Sequence, residues 1–400
     1  MKKFLTFILC IGAAATISAA PNTPVTLAKK AKTLDEARSL IKEAIADPQY
    51  NQDAETFYEA GMIETKAFDK DQVNRMLNTA DSTLGVKMSD ELINAYNYFV
   101  QAFPLDTIVD DKGKTKTKYS GKMYNEIYKN RENFFNAGIE YNMAQKYYPE
   151  SYNAFMIYGN LPSGILKDKA KDFNPQQVIT AFFNAGVVAS LSNQLEAAAD
   201  AYRLSRLAGS DSIDVYRYEI GSLIGMIQEN NDRANELQPR IEEVALAGIN
   251  KFGIDEPLFI NNYINSLINH DQPQQALDIL NNYIAQYPEN SNLYGLQGWV
   301  YEQMDNDDLS EAAYRKGASL SDKDVTTLKN AALKLFKIGT KKNNDLEGSA
   351  EETNEERQNI KNNYFLVAQQ YAQEAAKIDP TDPTIQSLLD SLDYSISLLK

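Results

Sequence analysis

One hexad recurs along the chain and restricts the fold more than any other feature. It reads Phe57-Tyr58-Glu59-Ala60-Gly61-Met62, then Phe134-Phe135-Asn136-Ala137-Gly138-Ile139, then Phe182-Phe183-Asn184-Ala185-Gly186-Val187. Each copy sets a large aromatic first, a small residue three positions on and a glycine four on. On a helix these side chains share one face. A mid-helix glycine costs about 1 kcal/mol relative to alanine, so glycines at matching places need a packing reason. Close approach of a neighbouring helix beside the aromatic ring supplies one.

The surrounding sequence agrees. Helical periodicity runs from about Thr33 to the end. Thr33 and Glu36 form a capping box, followed by Ala37, Leu40, Ile41, Ala44 and Ile45 at helical spacing, and Pro48 stops that helix. At the far end Asp382 and Pro383 suit the cap and first turn of a last helix, whose stripe is Ile385, Leu388, Leu389, Leu392, Ile396 and Leu399. Strand-like alternation is scarce, and the 13 prolines and 19 glycines fall mostly between helical segments. The fold class is all-α.

The repeats resemble the tetratricopeptide-repeat (TPR) family. In it a first helix, A, carries aromatic, small residue, glycine and tyrosine, and a second, B, carries alanine, aromatic, alanine and then proline, with a period of about 34 residues. Tyr294, Gly298, Tyr301, Ser310, Tyr314 and Gly317 match one unit. Ala276, Leu280 and Pro288 belong to the unit before it, which starts at Pro257, one period before Ser291. Ala368, Ala372, Ala375 and Pro380 read as another helix B, with Tyr371 as its aromatic. Phe182, Ala185, Gly186, Ala198, Tyr202 and Ser205 mark an earlier unit. The resemblance implies an α-solenoid of about six to eight antiparallel helix pairs, a right-handed superhelical array closed by a C-terminal capping helix. The organisation expected is irregular TPR-like helices over 21–106, with extra residues between helices A and B around Asp69 to Lys87. A polar loop at 107–122 and further TPR-like pairing over 123–177 follow, then the array proper over 178–400, with a lengthened second helix within Val215 to Phe252. A flexible acidic insertion, too poor in apolar residues to order itself, interrupts the array at 341–359.

The N-terminus reads as a leader over 1–20. Lys2 and Lys3 precede the apolar run Phe4 to Ile17, and small residues follow at Ser18, Ala19 and Ala20. The run is too short for a stable membrane span, and no later run is long enough for one. Cys10, the one cysteine, lies inside this leader and follows Leu9, which makes a poor lipobox. The mature chain would have no thiol, and its net charge would move from -15 to -17 with the loss of Lys2 and Lys3. Such an acidic chain does not suit nucleic acid, which calls for a basic face. The expected location is the periplasm, or the medium after secretion.

Signals for chemistry are missing. The one histidine, His270, sits in the expected turn of a repeat, so a catalytic triad or a multi-histidine metal site has nothing to draw on. Asp305-Asn306-Asp307-Asp308 begins like a calcium loop, but Ser310 stands where the loop requires glycine, and Asp and Asn are good turn formers. No phosphate-cradling glycine motif is present. No catalytic residue, metal or cofactor is assigned.

What the resemblance offers is a concave surface lined by helix A. Carried onto this sequence, the groove-facing positions include Tyr58, Phe135, Phe183 and Asn261, then Asn265 and Trp299. Asn261, Asn265 and Asn269 stand four apart and form a ladder along one helix face, and the single tryptophan falls beside it. An amide donates and accepts, which suits the main chain of a protein segment or the hydroxyls of a sugar. The aromatics have a plainer alternative in packing against adjacent repeats. The expected function is a non-catalytic exported scaffold for protein–protein interaction. The alternative is glycan capture, as in SusD-like envelope proteins. The exported chain is expected to begin at Ala20 or Pro21; intact-mass measurement of protein recovered from the periplasm checks this, and retention of residues 1–20 would contradict it.

Overall fold

A computed structural model describes residues 23–77, 83–109, 113, 115–320, 324–349, 351 and 353–399; the leader at 1–20 lies outside them. The chain divides into two compact units, Met1–Val215 and Tyr216–Lys400. The first holds α1 (Pro24–Lys30), α2 (Leu34–Ala46), α3 (Ala54–Met76) and α4 (Leu84–Leu105). A short antiparallel hairpin of β1 (Ile108–Val109) and β2 (Thr115–Lys116) follows, then α5 (Ser120–Lys129), α6 (Arg131–Met143), α7 (Tyr148–Asn160), α8 (Pro175–Leu191) and α9 (Leu195–Leu207). The boundary falls within α10 (Ile213–Glu229). The second unit continues with α11 (Ala234–Phe252), α12 (Pro257–Asn269), α13 (Pro273–Gln286), α14 (Ser291–Gln303) and α15 (Asp307–Leu320). It ends with α16 (Val325–Asn344), α17 (Asn354–Ile360), α18 (Leu366–Ile378) and α19 (Pro383–Leu398). The all-α class holds: apart from that one hairpin, the regular structure of the described residues is helical.

The caps read from sequence are present. Thr33 Oγ1 accepts from Glu36 N at 3.2 Å, and Glu36 reaches back to Lys32 N at 3.0 Å. Asp382 Oδ1 accepts from Thr384 N at 2.7 Å and Ile385 N at 3.3 Å, opening α19. Along α19, Ile385, Leu388 and Leu392 are buried, and the helix packs on α18 and α16 as a terminal cap.

Helices pair through short turns of one design. Asn193, Asp271 and Asp305 adopt φ of 55°, 56° and 55° just after α8, α12 and α14, a left-handed conformation that Asn and Asp tolerate better than most residues. The residue after each donates back five positions, Gln194 N to Ala189 O, Gln272 N to Leu267 O and Asn306 N to Tyr301 O, all at 2.9 Å. This is the Schellman closure, which satisfies helix-end carbonyls while reversing the chain. Asp271 and Asp305 stand one repeat of 34 residues apart, as do the starts of α12 and α14 and of α13 and α15.

The pairs lock where a glycine on one helix receives a ring from the next. A Cβ added at Gly138 would lie 2.7 Å from the Phe155 ring, at Gly186 2.5 Å from Tyr202, at Gly248 2.6 Å from Phe259 and at Gly298 2.9 Å from Tyr314. Phe99 fills the same notch at Gly61, Phe182 at Gly159 and Phe365 at Gly339. The hexad thus works differently from its first reading. The ring over each glycine comes from the following helix, and the hexad's own leading aromatics, Phe57, Phe134 and Phe182, are buried elsewhere in the packing.

The extra residues around Asp69 to Lys87 fall largely in helix, since α3 runs to Met76 and α4 starts at Leu84. The lengthened second helix within Val215 to Phe252 is α11, which follows α10. The stretch 341–359 is helical at both ends: α16 continues to Asn344 and α17 begins at Asn354. Residues 345–349 between them are non-helical. Thr353 and Ile360 are buried, and Arg357 ties back to Asn343 at 3.0 Å. From α17 the helix passes through one π-helical segment, Lys361–Phe365, into α18, seating Phe365 against Gly339.

The polar stretch at 107–122 contains the hairpin and is closed by one carboxylate. Buried Asp106 accepts from the backbone N–H groups of Lys118, Tyr119 and Ser120 and from Ser120 Oγ at 2.6–3.2 Å. Burial alone would raise its pKa; the hydrogen bonds outweigh it and hold the carboxyl below its usual range. With the folded value below the unfolded one, this stabilisation is present above about pH 4 and is lost as pH falls through the folded value.

Two predictions follow from the packing and the clamp. Gly138→Ala should destabilise by about 1–3 kcal/mol, because the Phe155 ring it meets is itself fully buried. Gly221→Ala in α10, whose Cβ meets nothing within 4 Å, should instead stabilise by about 0.5–1 kcal/mol. Urea denaturation of both variants reads the opposite signs. In Asp106→Asn, the loss of stability seen at neutral pH should shrink toward pH 3; a constant deficit across a pH series of urea midpoints would refute the clamp.

Candidate functional site

The sequence placed seven residues on a groove. Three of them serve packing. Tyr58 is buried and stacks on Tyr119 with ring centroids 4.6 Å apart. Phe135 meets Phe155 and Tyr158 edge-on, each at 5.4 Å, and Phe183 lies 5.9 Å from Tyr202. Tyr58 is thus part of the core, and Phe135 and Phe183 are half-buried against rings of the following helix.

Asn261, Asn265 and Trp299 come together, while Asn269 lines a different cavity. α12, α14 and α16 are successive first helices of their pairs, each beginning 34 residues after the one before. Asn261 and Asn265 of α12, Asn292, Gly295 and Trp299 of α14, and Thr326 and Asn330 of α16 line one cavity of about 250 Å³. Asn292 Nδ2 donates to Asn261 Oδ1 at 2.9 Å, fixing the orientation of both amides. Trp299 is half-buried. It packs against the cluster of Tyr314, Leu328 and Ala331 while also bordering the cavity. Gly295 admits α16, since an added Cβ would stand 3.3 Å from Thr327 Cβ.

Below Trp299 the wall is held by ions. Buried Lys334 lies 2.7 Å from Asp307 and 3.1 Å from Glu302, and Tyr314 donates to Glu302 at 3.0 Å. Burial would lower the lysine's pKa, but the two carboxylates outweigh it and raise it, so the charge persists. Removing one partner of such a group leaves an uncompensated buried charge.

A second cavity adjoins the first at Asn265. It measures about 480 Å³ and lies between α10, α11 and α12. Gln228, Asn235, Gln238, Asn262, Asn265 and Asn269 border it, together with Asn231 from the turn between α10 and α11. Sequence reasoning saw only the α12 side. The opposing amides could have been found, because Gln228, Asn231, Asn235 and Gln238 recur at helical spacing, but the helix pairing that turns them toward α12 was not legible. A third concavity, in the first unit, was missed altogether. It measures about 340 Å³ between α3, α4 and α6, and Arg75 spans it to Glu140 at 2.6 Å.

The repeat is similar to the tetratricopeptide-type helix pair. That rests on the period, the turn closure and the glycine notch taken together. Solved structures similar to the chain include a TPR repeats protein from Bacteroides fragilis, 15% identical over 66% of this chain and 98% of that one, with a TM-score of 0.34. The TPR2AB domain of yeast Sti1 in complex with pHSP90 is 13% identical over 70% of this chain and 97% of that one, with a TM-score of 0.24. The TPR domain of P58(IPK) is 10% identical over 94% of this chain and 98% of that one, with a TM-score of 0.27. These superpositions are loose, and the assignment of the helix pair stands without them. No protein-family model and no curated protein matches the sequence.

The other residues singled out in the sequence are occupied by structure. His270 caps α12 in the turn before α13. Asp305 supplies the left-handed turn, Asn306 Oδ1 accepts from Leu309 N at 3.2 Å, and Asp307 pairs with Lys334. Among the described residues no group of three or more His, Cys, Asp or Glu side chains could hold a metal ion.

Proposed function

We propose that the protein is a non-catalytic, exported scaffold that holds a protein segment against the face formed by α12, α14 and α16. One observation carries the reading. Asn261, Asn265, Asn292, Asn330 and Trp299, from three successive repeats, border one cavity in which no lining side chain is ionisable. Amides and hydroxyls of this kind pair with main-chain N–H and C=O groups, and a half-buried indole supplies area at low entropic cost. General acid–base chemistry needs ionisable side chains, which this lining does not contain.

The carbohydrate alternative draws on the same amides. It is weakened by Trp299, whose ring is partly committed to the core cluster, leaving a sugar only part of the face to stack on. Export rests on the Lys-apolar-small order of residues 1–20. Among the described residues no helix is long and apolar enough to cross a membrane.

Site-specific photocrosslinking in the producing cell tests the reading. A photoreactive residue at Asn265 or Asn330 should give a discrete protein adduct, and one at Gln286, exposed on α13, should give none. In the wild-type background Trp299→Ala and Asn265→Ala should each weaken the captured interaction about tenfold, equivalent to about 1.4 kcal/mol. Equal adducts from α12 and α13, or no effect of either alanine variant, would reject the groove.

A further inference from the structure

The cleft between α3, α4 and α6 departs from the repeat that explains the rest of the fold. α6 and α7 run 13 residues each, whereas α3 and α4 run 23 and 22. Both α3 and α6 start just before their hexad, so the extra turns of α3 lie at its C-terminal end, where Phe68 and Arg75 stand. Phe99, which fills the Gly61 notch, stands about two turns deeper in α4 than its counterpart Phe155 in α7. The extra turns of α4 therefore lie at its N-terminal end, around Gly85 and Met88. These added turns are what enclose the cleft.

Its floor is carbon: Phe68, Met88, Leu92 and Ala137 border it and are buried. Its mouth is ionic, since Arg75 of α3 reaches Glu140 of α6 at 2.6 Å. Gly85 shows how that carboxylate is placed. At Gly61, Gly138 and Gly186 the space left by the missing side chain is filled by a ring, but a Cβ at Gly85 would collide with Glu140 Oε2. Among the described residues Gly85 is the one glycine whose space is taken by a carboxylate.

We infer that this cleft is a binding site for a small zwitterion with an apolar body, a free α-amino acid carrying an aliphatic or thioether side chain. The inference does not draw on the scaffold reading, which concerns other helices. Size, charge and the floor each narrow the class. About 340 Å³ stands at the low end of the range for small-molecule sites, which suits a single small molecule. The charges at the mouth are unequally placed: the Arg75 side chain is 53% exposed and that of Glu140 26%. A pair this exposed contributes little to stability, so a ligand can part it. Arg75 then turns to water, while Glu140, lying against Gly85, needs another cation. An ammonium supplies one. A carboxylate on the same carbon recovers the Arg75 guanidinium, whose planar fork matches both carboxylate oxygens. A monocarboxylate would strand Glu140. The floor of Phe68, Met88 and Leu92 then takes the side chain, and methionine adapts to its shape. Arg75 and Glu140 are the only charged residues in the lining, so a further charge on the ligand's side chain would find no counter-ion.

Isothermal titration calorimetry of the full chain with L-leucine and L-methionine tests the inference, and both should bind saturably. Glycine, which lacks the apolar body, and L-glutamate, which adds a charge, should bind at least tenfold more weakly. N-acetyl-leucine keeps only the carboxylate and should lose at least tenfold. Leucinamide, measured at about pH 6.5 so that its amine is protonated, should lose about fivefold. Arg75→Gln should weaken leucine about fivefold and leave leucinamide within about twofold, whereas Glu140→Gln should weaken both at least tenfold. Both side chains reach solvent, so unchanged thermal melting of the two variants is expected and separates lost binding from lost fold. No saturable heat with either amino acid would overturn the inference. N-acetyl-leucine binding as tightly as leucine, or Glu140→Gln binding leucine as the wild type does, would overturn it too. Hexanoate binding more tightly than leucine would replace it with a monocarboxylate site. Leucyl-glycinamide binding more tightly than leucine would replace it with capture of a polypeptide N-terminus. Each of these outcomes leaves the scaffold reading standing.

Discussion

A ring seated in a glycine notch is the interaction on which the rest of this structure depends. Helix axes normally stand 8–10 Å apart according to the side chains between them. Removing a Cβ at one point on a helix lets the next helix approach there, and a Phe or Tyr from that helix then fills the space. The arrangement fixes position and angle at once, because the ring cannot slide past the flanking side chains without clashing. It recurs at α3–α4, α6–α7, α7–α8, α8–α9, α11–α12 and α14–α15, and again where α16 receives Phe365. Each instance puts a glycine within a helix at a cost of about 1 kcal/mol, which burial of a ring offsets at about 1.5–3 kcal/mol. The margin is modest per pair. Order along the array therefore comes from repetition, each pair presenting the next with the surface it needs.

The candidate site follows from that spacing. Once α12–α13 and α14–α15 are set with the same 34-residue offset, equivalent positions on α12 and α14 project the same way, and α16 begins at the next equivalent point. Asn261 and Asn292 come within hydrogen-bonding distance for this reason and for no local one, since they stand far apart in sequence. Trp299 sits at the junction of both consequences. Its inner part joins the cluster around Tyr314, the ring that fills the Gly298 notch, and its outer edge borders the cavity. The groove and the core are two faces of one packing solution.

Much of this was legible in the sequence where a local rule governed it. Capping at Thr33 and Asp382, the all-α class, the period between Pro257 and Ser291 and the joining of Asn261, Asn265 and Trp299 all follow from short-range chemistry or from the repeat itself. What failed was partner identity. The hexad pointed to a glycine beside a ring, but which ring depends on the next helix. The stretch 341–359 reads as too polar to order, yet its two ends are helical, with Thr353 buried inside it and Ile360 just beyond. Tyr58, Phe135 and Phe183 lay at groove-facing positions by period, yet neighbouring Tyr119, Phe155, Tyr158 and Tyr202 cover them. Period fixes the direction in which a side chain points; it does not say what stands opposite.

The distribution of charge argues for how such a surface discriminates. Acidic residues are abundant in the chain and absent from the lining of both cavities, where asparagine and glutamine stand instead. An amide differs from the corresponding carboxylate by one atom and loses nothing in reach, so the exchange removes charge while keeping the acceptor and adding donors. On an acidic chain, long-range repulsion keeps copies of the protein apart and favours solubility. The nearest carboxylates stand behind the linings, Asp324 accepting from Thr327 and Glu242 lying 3.7 Å from His270, so the linings themselves present mainly neutral hydrogen-bonding groups.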